Sequence, residues 1–164
     1  NSYASSRLVL GESINESLIE KINKKNIEAA FEARIQTGAN EVLIAGSISH
    51  QVAWQNIDGK IKKQIDVPVS KDELEFAFNE MREFFEAGEV DLLLLEMMSI
   101  PERAVHLYDC VSNSTLPVWC GLSAKRNGDL TSDRRACERC VAACVLPHHR
   151  NHIGRGSRYR TGSR

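Results

Sequence analysis

Asp91-Leu92-Leu93-Leu94-Leu95-Glu96 is the stretch whose reading decides the fold. Four consecutive leucines ending on a carboxylate are too few to span a membrane and too few for an amphipathic helix. They suit a strand covered on both faces, as in a parallel sheet packed under helices. Gly88 closes a helical pattern just upstream, and Ser99-Ile100-Pro101-Glu102 opens another just downstream. The local order is therefore helix, buried strand, helix, with Glu96 at the strand's carboxyl end. In parallel α/β folds ligands bind at that end. Ending an apolar run on a charge also risks burying it unpaired, which a cationic ligand group or a basic neighbour would relieve. The competing reading is a structural carboxylate bonded to nearby backbone amides.

Upstream, Asn1-Ser2-Tyr3 reads as the exit of a strand, and Asn15-Glu16-Ser17 opens a helix. Leu18, Ile22, Ala29 and Ala33 fall on one face of that helix, and Gly38 stands in the C-cap place. Glu41 to Ser47 follows as a buried strand ending in small residues. Residues 48–69, with Trp54, Asp58-Gly59 and Pro68, make a long connection of a kind that is uncommon unless functional. Ser70-Lys71-Asp72-Glu73 matches a capping box, and Leu74, Phe78, Met81 and Phe85 form an apolar stripe read as core.

Downstream, Ser99 with Glu102 makes a second capping box. Ala104, Leu107, Tyr108 and Val111 carry the next helix face, and Leu116 to Ser123 forms the next strand. Strict alternation of strand and helix predicts parallel βα units, closed either as a doubly wound sheet or as a (β/α)8 TIM barrel. A barrel takes at least about 200 residues, so on that choice this chain of 164 residues is a partial one. The strand ends bring together Glu96, Ser47, Ser123 and Asn1 as candidate binding residues. Ala45-Gly46-Ser47-Ile48-Ser49 is neither of the glycine-rich phosphate loops.

Composition divides the chain. Residues 134–164 hold eight arginines, no lysine and one acid, Glu138, a net of +7, whereas the remainder, with 13 basic and 21 acidic residues, nets −8. All eight lysines precede residue 126. This predicts a boundary near Asp133, with 1–133 a partial barrel domain and 134–164 an irregular basic tail, disordered or read out of frame. Cys137, Cys140, Cys144, His148 and His149 could ligate zinc, but they match no standard paired spacing. The five cysteines, an odd number, form no secreted disulfide framework, which predicts a reducing, cytoplasmic setting. No apolar stretch reaches the roughly 18 residues of a membrane helix, and aromatic interleaving in the tail is limited to Tyr159. Neither a membrane nor a nucleic acid is an expected partner.

Several stretches together resemble the homocysteine S-methyltransferase family, which includes the betaine-dependent enzymes. Asn1-Ser2-Tyr3 resembles the family's strand exit TN-[ST]-[FY]. Ile22-Asn23 through Ala29-Ala30 to Arg34 resembles its IN…A…A…AR helix. Ala45-Gly46-Ser47-Ile48 resembles AGSIGP, and Asp91 to Glu96 resembles its D-hydrophobic-ET strand. Pro117-Val118-Trp119 through Gly128-Asp129-Leu130 resembles PVW-[ILV]-SF…G-x-L.

The resemblance spans residues 1 to about 133. It implies a TIM barrel that transfers a methyl group from a small sulfonium or betaine-type donor to the thiol of homocysteine, forming methionine. It also implies zinc, held by three cysteine thiolates, as the cofactor that binds the substrate sulfur; a free thiol is mostly protonated at neutral pH. Glu96 would hold the homocysteine amino group.

The family's Asp-Gly-Gly start and its G-x-N-C and GGCC zinc motifs are absent from this chain, and Cys137, Cys140 and Cys144 do not match them. Met97 stands for the usual Thr, Ser49-His50 for Gly-Pro, and Cys120-Gly121-Leu122-Ser123 for the SFS-type strand. The expectation is a truncated methyltransferase fragment, inactive as it stands, with no metal ligands of its own and a tendency to self-associate through open sheet edges. Two alternatives remain: another βα-barrel enzyme of lyase or aldolase type, and a small zinc- or nucleic-acid-binding module using the tail.

Overall fold

In a computed structural model the described residues are 2–11, 15–53, 56–57, 59–61 and 67–122. Trp54, Asp58, Asn1, Ser123, the expected boundary at Asp133 and the tail cysteines and histidines lie outside them. A 3-10 turn, Tyr3–Ser5, leads into α1 (Arg7–Leu10) and α2 (Glu16–Gln36). Then come β1 (Ala45–Ile48), β2 (Asn56–Ile57), β3 (Lys60–Ile61), α3 (Lys71–Ala87), β4 (Leu92–Met98), α4 (Pro101–Val111) and β5 (Val118–Leu122). Strands β1, β4 and β5 form a parallel sheet in that spatial order. Consecutive strands of the sheet are neighbours, each joined to the next through a helix. The alternation read from the sequence is therefore present. The long connection after β1 contains a small antiparallel hairpin, β2 with β3.

The leucine run is a strand, as expected, and its two faces differ. Leu93 and Leu95 are wholly buried, and with Ile48 they pack against Phe78, Met81 and Phe85 of α3 and Leu107 and Val111 of α4. Leu94 and Glu96 point the other way and are only partly covered. Gly46 in β1 is required by packing: a Cβ there would overlap the Phe85 ring. The sheet thus lies close against α3.

The capping box of α3 forms as predicted, Ser70 Oγ accepting from Glu73 N and the Glu73 carboxylate accepting from Ser70 N. Asn15 caps α2, accepting from Leu18 N. Gly38, at φ +66, follows the last turn of that helix in the left-handed conformation glycine favours.

Three expectations are corrected. The buried face of α2 is Ile19, Asn23 and Ile27, while Leu18, Ala29 and Ala33 are exposed. Asn23 is drawn inside by hydrogen bonds: its Nδ2 donates to Ser5 O and Ile19 O, and its Oδ1 lies 2.6 Å from Ser5 Oγ. The first strand begins at Ala45 rather than Glu41. Val42 and Leu43 are both 57% exposed, because β4 pairs with β1 only from Leu92 opposite Ala45. Asp91 ends that ladder, its Oδ2 accepting from Ile44 N at 2.7 Å and from Arg34 Nη1 at 2.8 Å.

Gly88 does close α3, but with φ −84. The left-handed residue is Glu89, at φ +54, and Gly88 is small because a Cβ would meet Ile27 Cδ1 at 2.6 Å. The second capping box does not form, since the N-cap of α4 is Ile100 without a side-chain cap bond. His50 instead accepts from the amides of Ser99 and Ile100, just ahead of the first turn.

Candidate functional site

Parallel pairing of β1 with β4 puts Ser47 opposite Leu94, so Glu96, two residues further on, shares the face of Ser47 on the neighbouring strand. Residues placed diagonally in this way come within reach of a long side chain. Ser47 Oγ donates a hydrogen bond to Glu96 Oε1. Ser47 N in turn is 3.3 Å from Ser2 Oγ, which brings the amino-terminal segment beside the pair. Of the four residues expected at the strand ends, Ser47 and Glu96 are joined. Asn1 and Ser123 lie outside the described residues.

The pair closes the polar end of a cavity of about 530 Å³ that runs along the outer edge of β1, between it and α2. Ala30, Ile44 and Phe85 line the apolar part, and Ser2, Ser47 and Glu96 the polar part. A carboxylate offers about four acceptor positions, and the Ser47 hydroxyl occupies one of them. The chemical capacity of the site is therefore to accept hydrogen bonds from a cation at the edge of an apolar hollow.

Glu96 stands where the regular ladders stop. Pairing with β1 ends at Ile48 opposite Leu95, and pairing with β5 passes from Leu95 directly to Met98. The register shift is a bulge, and Met97 within it has φ +57. Bulges of this kind re-aim side chains beside functional sites, and a non-glycine residue in the left-handed region is held there by its surroundings. The family resemblance marked position 97 as a departure, but nothing in the sequence signalled the bulge.

His50 was read only as a departure from a proline, and is the residue that sequence reasoning missed. It is wholly buried, and its Nε2 accepts from Ser99 N at 2.9 Å and from Ile100 N at 3.1 Å. Two N–H donors on Nε2 require the ring to be neutral with its proton on Nδ1. Burial lowers its pKa from 6.5 to about 4; its own backbone carbonyl opposes this, and the Arg103 guanidinium adds to it. Arg103 is itself buried, with Nη2 donating to Val67 O at 2.7 Å. The signal in the sequence was a histidine just past the end of an apolar strand.

The sequence profile of the family described as homocysteine S-methyltransferase matches residues 1–151, most of the 164-residue chain. The chain belongs to the homocysteine S-methyltransferase family. A comparison with curated proteins returned no match.

Membership implies methyl transfer to homocysteine at the level of the family and, in general, a zinc ion. The described residues do not fit that metal. Cys110 on α4 and Cys120 on β5 both pack against the core. Among the described residues no three histidine, cysteine, aspartate or glutamate side chains come together. Burial also raises the Cys110 thiol, with Glu75 and Asp109 adding to the effect, which is opposite to what a thiolate ligand needs. No helix among the described residues is long and apolar enough to cross a membrane.

Proposed function

We propose that this chain carries the homocysteine-holding part of a methyltransferase that takes a methyl group from a sulfonium or betaine-type donor and forms methionine. The fold in this reading is part of a (β/α)8 barrel. Consecutive parallel strands under helices that pack against one face support it. The other face, with Leu94 and Glu96, then looks into the barrel, where ligands of such folds sit at the carboxyl ends of the strands.

The observation that carries the proposal is the bond between Ser47 Oγ and Glu96 Oε1 at two adjacent strand ends. The carboxylate receives the ammonium of the amino acid in a charge-assisted hydrogen bond, and Ser47 fixes the carboxylate's orientation by donating to one oxygen. Asn1 and Ser123 belong to the same ring of strand ends in this reading. In the reaction the homocysteine sulfur forms a bond to the methyl carbon as the methyl–sulfur or methyl–nitrogen bond of the donor breaks. The donor leaves as a neutral thioether or amine, and the thiol proton passes to water. Holding the amino group removes most of the freedom of the attacking thiol, the effect by which bound geometry lowers a bimolecular barrier.

Calorimetric titration with L-homocysteine tests the assignment. Glu96→Gln, nearly equal in size and uncharged, is expected to weaken binding by about tenfold or more, the loss of a hydrogen bond between charged groups. Equal affinity in the two proteins would remove Glu96 from the site.

A further inference from the structure

Arg7, Arg34 and Arg82 each lie within ion-pair distance of a carboxylate, and each is partly exposed. Arg103, the remaining arginine among the described residues, is the reverse case. It is only 9% exposed. Its Nη2 donates to Val67 O, but Nη1 is buried without a partner, and no carboxylate among the described residues pairs with it. Burial lowers its pKa, and no acid opposes the shift. Enclosing a guanidinium without a counter-charge is costly, because nothing replaces the water it has lost. Arg103 also stands in the first turn of α4, where the helix dipole disfavours a cation and favours an anion.

His50 brings a second donor to the same turn. Its ring is wholly buried and binds the amides of Ser99 and Ile100 through Nε2, close enough to Arg103 for that charge to act on it. Nδ1 therefore carries the proton, and it too has no hydrogen-bond partner. Its own carbonyl lies near enough to affect the pKa without accepting a hydrogen bond. Both donors follow the carboxyl ends of strands, His50 after β1 and Arg103 after β4. A water could accept from one of them but would bring no charge. A carboxylate supplies both the charge and two oxygens in the plane that suits a guanidinium.

We propose that Arg103 and His50 form a site for the carboxylate of a small ligand, Arg103 giving the charge and Nη1, His50 its Nδ1 proton. The site uses neither Ser47 nor Glu96 and does not rest on the reading of Glu96 as the ammonium site.

Carbon-13 acetate is the probe, titrated by NMR at constant ionic strength into the parent protein and into Arg103→Gln, which keeps an N–H for Val67 O and removes the charge. The parent is expected to give a saturable shift, and the variant to bind about tenfold more weakly or worse. If glutamine prevents folding, Arg103→Lys, which keeps the charge but not the planar fork, takes its place and is also expected to bind acetate more weakly. Equal affinity in the parent and a folded variant, or a response in the parent that does not saturate, overturns the proposal. L-Homocysteine and 3-mercaptopropylamine, its analogue without the carboxylate, then serve as competitors. Displacement by homocysteine alone supports the site and identifies its ligand as the amino acid's carboxylate. Acetate held against both supports it with a second molecule as ligand, such as a betaine-type donor. Unchanged homocysteine affinity in Glu96→Gln would alter none of these acetate results, so the two readings fail separately.

Discussion

At Gly46 the hydrogen of glycine faces the Phe85 ring, and a methyl group has nowhere to go. Gly46→Ala is expected to destabilise the fold by about 3 kcal/mol, the upper range for overpacking a core, in chemical denaturation. Glu89 gives the opposite case, an exposed residue held at φ +54. Glu89→Gly should stabilise by about 1 kcal/mol, by removing the cost of a side chain in the left-handed region. The sequence reads Gly88 as the close of α3, and it is the C-cap residue. Here packing against Ile27 claims the glycine, and the turn falls on its neighbour. His50 shows a limit of such reading. Its place could be read from the chain, but the two amides it serves lie 49 and 50 residues away, and no local pattern links them.

His50 also makes an element-scale prediction, because its bonds hold the start of α4. The unfolded ring titrates near 6.5 and the native one near 4. Between those values the unfolded chain binds the extra proton, so stability falls as pH drops from about 6.5 to 4 and is not lost further below. The loss amounts to roughly 3 kcal/mol over that window. Urea midpoints across this range should therefore slope in the parent protein and be flatter in His50→Gln.

Among the elements, α3 was the most legible: its capping box and the stripe from Leu74 to Phe85 both appear as read. The face of α2 was misplaced because its centre is an amide, Asn23, satisfied by the Ser5 segment, and a count of apolar residues scores an amide as wet. The start of β1 was misplaced because hydrophobic Val42 and Leu43 precede the ladder, which Asp91 and Arg34 terminate through polar contacts.

For the molecule as described, the sheet has two outer strands, β1 and β5, and Trp119 on β5 is 58% exposed. Unpaired strand edges and large exposed apolar side chains favour association. Sedimentation is expected to show concentration-dependent self-association, reduced in Trp119→Lys; a monomer at all concentrations would contradict this. The parallel order and the placing of Glu96 at a strand end were legible because they depend only on alternation and on one apolar run. The partner of Glu96 was legible as a position, Ser47, but the bond and the bulge that aims it are products of register.

The central claim is that Glu96 receives the amino group of homocysteine. The most direct measurement is a four-way calorimetric cycle, titrating the parent protein and Glu96→Gln with L-homocysteine and with 4-mercaptobutyrate, which lacks the amino group. The account predicts non-additivity: removing the amino group weakens binding to the parent protein about tenfold or more and makes little difference once Glu96 is glutamine. Equal losses in both proteins would show that the amino group is held elsewhere.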